Sequence, residues 1–275
     1  MKAFQFAYKN STIAFYRFGS GPIPVICFHG YGEDGAGFEF LANSADNQYT
    51  FYAIDLPFHG NTDWKEGLNF TQTDLQQIIK EILQESKHEL QTTNSKFYLL
   101  GFSLGGRVAL SLYQSIPQKI EKLILLAPDG LKVNFWYWLA TQTWLGNRFF
   151  NLTMKKPTWF LWMVKLLNKL HLINTSIFKF VNYYNADAEV RRLLYARWTT
   201  LRKLKPRLRQ IKNQIKENKT PVRLMYGEHD RIILFSVGQR FRRGIEEHCT
   251  LSIIKSGHQV LHEKHVQEIL PALLR

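Results

Sequence analysis

The stretch Phe97-Tyr98-Leu99-Leu100-Gly101-Phe102-Ser103-Leu104-Gly105-Gly106-Arg107 decides how the rest of the chain is read. Its first residues are aromatic or Leu, the composition of a strand buried on both faces. A helix is expected to begin near Leu104. The small residues Gly101 and Gly105 permit a turn so tight that Ser103 is presented above the sheet. The N-terminus of the following helix aims backbone N–H groups and a partial positive charge at that turn, so an oxyanion can be held there.

Outward from this turn, strand-like and helix-like pieces alternate. Strands are expected at Pro24–Phe28, Phe51–Asp55, Phe97–Phe102 and Lys122–Leu126, and later at Val222–Tyr226 and Thr250–Lys255. Residues 2–8 and 12–18 read as an antiparallel start that turns at Lys9-Asn10. Thr71–Gln91 places Leu75, Ile78, Ile79 and Ile82 on one helical face. Further helices are expected near Val237–Ile245 and from Glu263. The alternation predicts an α/β fold with a mostly parallel central sheet flanked by helices. In such sheets ligands bind beyond the carboxyl ends of the strands, where residues just after each strand converge.

A serine hydroxyl is a weak nucleophile without a base, and the base needs a group to orient it. Gly257-His258 follows the strand Thr250–Lys255, and Gly227-Glu228-His229-Asp230 follows Val222–Tyr226. Both loops end at the same sheet edge as Ser103. The expected set is therefore Ser103 as nucleophile, His258 as base and Asp230 as the orienting carboxylate.

In this order of Ser, Asp and His the chain resembles the α/β-hydrolases of the serine esterase, lipase and C–C hydrolase type with a helical cap. Two further motifs carry the resemblance. Cys27-Phe28-His29-Gly30-Tyr31-Gly32 is similar to the family's His-Gly-x loop, and Asp55-Leu56-Pro57-Phe58-His59-Gly60 to its Asp-x-x-Gly-x-Gly turn, with Phe58 where Gly is usual. The resemblance implies an oxyanion hole built from the backbone N–H groups of Tyr31 and Leu104, and a structural role for His29 in bracing that loop. It also implies that epoxide or halide chemistry, which needs Asp at the elbow, is disfavoured by Ser103. Gly105-Gly106-Arg107 is similar to the elbow of the SHCHC-synthase lyases. That likeness makes Arg107 a candidate for contact with an anionic substrate, against the plainer reading of a structural arginine.

Each residue has a duller alternative. Ser103 has the side chain of an ordinary helix N-cap. Asp129, just after the strand ending at Leu126, competes with Asp230. His262 and His265 compete with His258, but their spacing suits the surface of a closing helix.

Charge and aromatic content mark one segment apart. Of 36 basic and 22 acidic residues, 18 basic and 3 acidic fall between 131 and 220, which gives that segment a net +15 and leaves −1 for the remainder. Six of the seven tryptophans, all but Trp64, lie there too. The chain is thus expected to divide into a core of residues 1–130 and 221–275 and a basic, aromatic-rich helical cap inserted at 131–220. The cap's first half runs from Phe135 through Trp159–Val164 to Phe178 and Phe180, and its second half is densely basic. Such a segment suits contact with a membrane surface or an anionic amphiphile, or simple packing on the core. No nucleic-acid motif accompanies the positive charge, so no nucleic-acid partner is expected.

No apolar run approaches the roughly 18–20 residues of a membrane span, and the N-terminus lacks a signal-peptide pattern. Cys27 and Cys249 sit in apolar runs without disulfide or metal spacing. A cytoplasmic enzyme without metal or cofactor is expected, one that cleaves a hydrophobic carboxylic ester, with or without a negative charge, through an acyl-enzyme. C–C hydrolysis or lyase chemistry at the same residues, and a non-catalytic anionic-lipid-binding protein, are the alternatives.

Overall fold

A computed structural model describes residues 3–45, 47–85, 96–170 and 187–274. The chain forms two compact units, one of residues 1–66, 70–132 and 203–275, the other of residues 67–69 and 133–202. The first unit begins with the hairpin β1 (Phe4–Tyr8) and β2 (Ser11–Phe18), whose turn holds Lys9 at φ +55°. It continues through β3 (Ile23–Phe28), α1 (Glu39–Ser44), β4 (Tyr49–Ile54), α2 (Gln72–Glu85), β5 (Phe97–Phe102), α3 (Leu104–Ser115) and β6 (Ile120–Leu126). The helix expected over Thr71–Gln91 thus runs to Glu85, and residues 86–91 lie outside the described residues.

The second unit contains α4 (Phe135–Gln142), α5 (Trp144–Lys155), α6 (Thr158–Lys169) and α7 (Ala188–Thr200). Asn134, Thr143 and Asp187 cap α4, α5 and α7 through side-chain oxygens that accept first-turn N–H groups. Within this unit the Phe150 ring meets Tyr195 and Trp198, and Asn147 Nδ2 donates to Thr199 Oγ1 at 3.1 Å. Phe178 and Phe180 lie outside the described residues.

The chain then returns through α8 (Leu208–Asn218), β7 (Val222–Gly227), α9 (Phe235–Arg242), β8 (Cys249–Ile254) and α10 (Val266–Leu273). The segment 203–220 packs within the first unit, so the second unit is narrower than the span 131–220 that charge marks out. In α8 the fully buried Ile211 and Ile215 face the core, Arg209 and Lys216 are exposed, and Lys212 Nζ donates to Arg243 O at 2.8 Å. Charge density follows solvent-exposed helix faces, and such a face belongs to either unit.

All eight strands join one sheet in the order β1-β2-β4-β3-β5-β6-β7-β8. The two pairings of β2 are antiparallel and the rest are parallel. β4 and β5 are buried at every position, whereas the edge strand β8 exposes Thr250, Ser252 and Ile253. Because β4 and β5 flank β3 on opposite sides, the strand order reverses at the carboxyl ends of β3 and β5, the place where open sheets of this kind bind ligands. Phe58, in the loop after β4, takes φ +64°, the left-handed conformation that Gly supplies at lower steric cost.

The hairpin is tied to α2 by Asp74. Its Oδ1 accepts from the Tyr8 hydroxyl at 2.8 Å and from the Lys9 ammonium, and its Oδ2 accepts from the Thr71 N–H at 2.9 Å and hydroxyl at 2.6 Å. Burial alone would raise this carboxyl, but the bonds from Lys9, Thr71 and Tyr8 outweigh it and hold the pKa at about 2. The unfolded value is near 4, so the stabilisation is complete above that pH and is lost as pH falls through the folded pKa. Asp74→Asn is expected to lower stability at neutral pH by about 2 kcal/mol. Urea titrations across pH should show wild type losing this advantage between about pH 4 and 2, and an undiminished gap at the acid end would refute the assignment.

Candidate active site

Ser103 lies between β5 and α3 with φ +49° and ψ −115°, a conformation that L-residues rarely adopt. Three backbone bonds hold it there. Its N–H donates to Leu126 O at 2.9 Å, and its carbonyl accepts from Gly106 N at 2.9 Å and Asp129 N at 2.8 Å. The flanking glycines are required by close approach: a Cβ on Gly105 would overlap the Phe28 carbonyl oxygen, and one on Gly101 would lie 2.5 Å from Gly105 O. The Ser103 side chain makes no capping bond to α3. Its Oγ lies 2.9 Å from His258 Nε2 instead.

His258 Nδ1 lies 2.8 Å from Asp230 Oδ2. A carboxylate only accepts, so Nδ1 carries the proton and Nε2 is left to accept the proton of the Ser103 hydroxyl. Asp230 has a fully buried side chain, and its Oδ1 accepts from Ile232 N at 2.7 Å and Ile233 N at 2.9 Å. The two oxygens therefore have fixed and different tasks. The Phe102 ring packs 5.5 Å from the His258 ring and limits its rotation.

The structure thus brings together Ser103, His258 and Asp230 from three loops at the carboxyl ends of β5, β8 and β7. The other acid, Asp129, pairs with Arg107 and accepts from Gly130 N at 2.6 Å. Arg107 is a buried residue of α3 whose guanidinium is engaged by that carboxylate. His262 is exposed and caps the short turn Glu263–His265, but His265 is buried, against the expectation of a surface residue. The correction arises because the chain enters α10 through that 3₁₀ turn, which directs residue 265 inward.

Leu104 is the first residue of α3, so its N–H has no partner within the helix. Tyr31 follows Gly30 in the loop after β3, where its ring meets His59 edge-on at 6.0 Å. His29 is fully buried and accepts from Leu56 N at Nε2 (3.1 Å), so its Nδ1–H donates to Gly30 O at 2.7 Å. This neutral tautomer braces the Tyr31 loop against the loop after β4. Asp55 adds a second brace, with Oδ1 accepting from Gly35 N and Oδ2 from Asn61 N, both at 2.7 Å. Burial raises the Asp55 carboxyl against those two bonds.

Sequence reasoning missed Glu33. Its Oε2 accepts from Gly30 N at 3.1 Å and its Oε1 from Gln259 Nε2 at 2.9 Å. The carboxylate therefore links the loop of Tyr31 to the loop of His258. Burial raises its pKa, and the bonds from Gln259 and Gly30 oppose that shift. No local pattern announces a partner 226 positions away. Cys27 and Cys249 are free and buried, and burial pushes both thiols up, Cys249 to about 12. Among the described residues no group of three His, Cys, Asp or Glu is placed to hold a metal ion. No helix among them is long and apolar enough to cross a membrane.

Comparison with known proteins agrees with this architecture. A family model described as serine aminopeptidase, S33, matches residues 24–265. An uncharacterized hydrolase, YugF, of Bacillus subtilis (strain 168) is 24% identical over 246 residues, which cover 87% of this chain and 85% of that protein. A pimeloyl-(acyl-carrier protein) methyl ester esterase of Aeromonas salmonicida (strain A449) is 32% identical over 135 residues, 49% of this chain and 46% of the esterase. Among solved structures, a thermophilic esterase from Thermogutta terrifontis superposes with a TM-score of 0.68 at 15% identity, covering 99% of this chain and 98% of that one. The thioesterase domain from the curacin biosynthetic pathway gives 0.64 at 17% identity, with 100% and 99% covered. These structural likenesses concern the fold, which is that of the α/β-hydrolases.

The assigned tautomer has a direct readout. The His258 Nδ1 proton, held against a buried carboxylate, is expected as a far-downfield proton NMR signal that survives Ser103→Ala and disappears in Asp230→Asn. A signal unaffected by Asp230→Asn would show that another group orients the imidazole.

Proposed function

Because the chain belongs to the serine aminopeptidase S33 family of α/β-hydrolases, we propose that it is a serine hydrolase that cleaves a hydrophobic carboxylic ester through an acyl-enzyme. The observation that carries this reading is the continuous bonding from Ser103 Oγ through His258 to the buried Asp230. Ser103 Oγ attacks the ester carbonyl as its proton passes to His258 Nε2. Asp230 Oδ2 accepts the Nδ1–H throughout and stabilises the imidazolium that forms. The carbonyl oxygen, now negative, is held by the backbone N–H groups of Leu104 and Tyr31. The intermediate collapses as the alkoxide leaves with the proton from Nε2. Water, deprotonated by His258, then attacks the acyl-enzyme and releases the acid and Ser103.

Ester chemistry is favoured by the relatives named as methyl ester esterases, although the match spans less than half of such an enzyme. The net charge of +14 favours an anionic substrate over one bearing the ammonium group of a peptide N-terminus. Free, buried cysteines suit a reducing, cytoplasmic compartment. The lyase alternative leans on Arg107, and its engagement by Asp129 gives that alternative no support.

A fluorophosphonate probe is expected to label Ser103, located by mass spectrometry, and the protein to hydrolyse p-nitrophenyl esters of medium chain length. Ser103→Ala should abolish labelling and lower turnover by roughly 10⁴-fold or more. An unlabelled Ser103 would defeat the activated-serine reading. Labelling without ester turnover would transfer the same residues to C–C or lyase chemistry.

A further inference from the structure

The second unit turns apolar side chains outward where a water-facing helix would carry polar ones. In α5, Thr153 and Met154 are buried and Phe150 packs on α7, yet Trp144, Leu145, Phe149 and Leu152 are exposed. Leu145, Phe149 and Leu152 recur at helical spacing, so they form one face, and the exposed Lys156 follows the end of the helix. In α6 the same holds for Trp159, Trp162 and Leu166, with Lys165 and Lys169 beside them. The Phe149 and Trp159 rings meet at 4.9 Å and join the two faces. Exposure is high on these two helices, 71% for Trp144, 72% for Leu145 and 68% for Trp162.

Along α5 and α6 the charge has one sign. Between Asp129 and Asp187 the sequence contains seven lysines and arginines and no acidic residue. Arg148 lies over the Trp144 ring at 5.4 Å and keeps its charge at the edge of the aromatic face. Indole rings favour the boundary between hydrocarbon and water, and lysine and arginine stems lie along apolar surface while their heads reach anionic groups. A second copy of this chain is a poor occupant, because a self-paired face would set Lys155, Lys156 and Lys165 against their own copies. An aqueous setting alone leaves a contiguous apolar patch unexplained.

We propose that the outward face of α5 and α6 is a docking surface for an anionic lipid bilayer, with Trp144, Leu145, Phe149 and Trp162 entering the interface and Arg148, Lys155, Lys156 and Lys165 meeting the headgroups. The protein docks as an interfacial body without spanning the bilayer. Docking requires no turnover, so it stands or falls separately from the ester reading.

The full chain, with and without vesicles, tests this. Sedimentation with phosphatidylcholine vesicles containing phosphatidylglycerol should show binding about tenfold or more above that to phosphatidylcholine alone, weakened by high salt. Tryptophan emission should shift to the blue on binding and be quenched by brominated lipid. The double variant Trp144→Glu/Phe149→Glu, checked for fold by circular dichroism, should bind at least about tenfold more weakly. Lys155→Glu/Lys156→Glu should lose affinity at low salt while keeping its fold, which preserves the test if the first variant fails to fold. Failure of the wild-type protein to bind anionic vesicles overturns the proposal. Full binding by either folded variant overturns it too, as would a concentration-dependent dimer that Trp144→Glu/Phe149→Glu abolishes without any vesicle binding.

Discussion

The turn at Ser103 constrains the rest of the first unit. A non-glycine residue at φ +49° costs on the order of 1–3 kcal/mol, and the surroundings must over-determine it to keep it. They do so by close packing: Gly105 lies so near the Phe28 carbonyl that no side chain fits between α3 and β3, and Gly101 is equally close to Gly105. Backbone bonds to Leu126, Gly106 and Asp129 fix the remaining freedom. The result is a hydroxyl that points away from its own helix and toward a histidine 155 positions later.

Around that turn, loops of the site are braced by polar side chains, buried in His29 and Asp55 and half-buried in Glu33. His29 fixes the loop after β3 through a single tautomer, Asp55 joins two loops through its two oxygens, and Glu33 joins the loop of Tyr31 to that of His258. Each is satisfied by donors at hydrogen-bond distance, which offsets the desolvation of a buried polar group. Ser103, His258 and the loop of Tyr31 are thereby held by a pre-set frame. Such a frame is what electrostatic stabilisation of an oxyanion requires, since donors that must reorganise lose most of their advantage.

The second unit follows a different logic. Its internal contacts consist of aromatic rings and capped helix ends, with Phe150, Tyr195 and Trp198 at the centre. Tryptophans of α5 and α6 remain outside that cluster. The same residue type thus serves two ends, packing where it is enclosed and exposure where lysines surround it. Composition alone cannot separate these uses, because both raise the aromatic and basic counts of one segment.

The sequence by itself determined the sheet and the sharp turn at Ser103. Buried parallel strands read as short apolar runs, and β5 was legible over its whole length because every residue of it is enclosed. Ser103, Asp230 and His258 were also legible, since each follows a strand and strand ends converge in a parallel sheet. Tertiary structure alone decided what those residues touch. Asp129 and Asp230 look alike in sequence, and only packing gives one to Arg107 and the other to His258. Glu33 and the inward turn of His265 were hidden because their neighbours come from distant positions or from a helix entry that periodicity does not encode. Charge marks out 131–220, whereas the second compact unit comprises 67–69 and 133–202. Charge records which faces meet solvent, and only the fold records which unit those faces belong to.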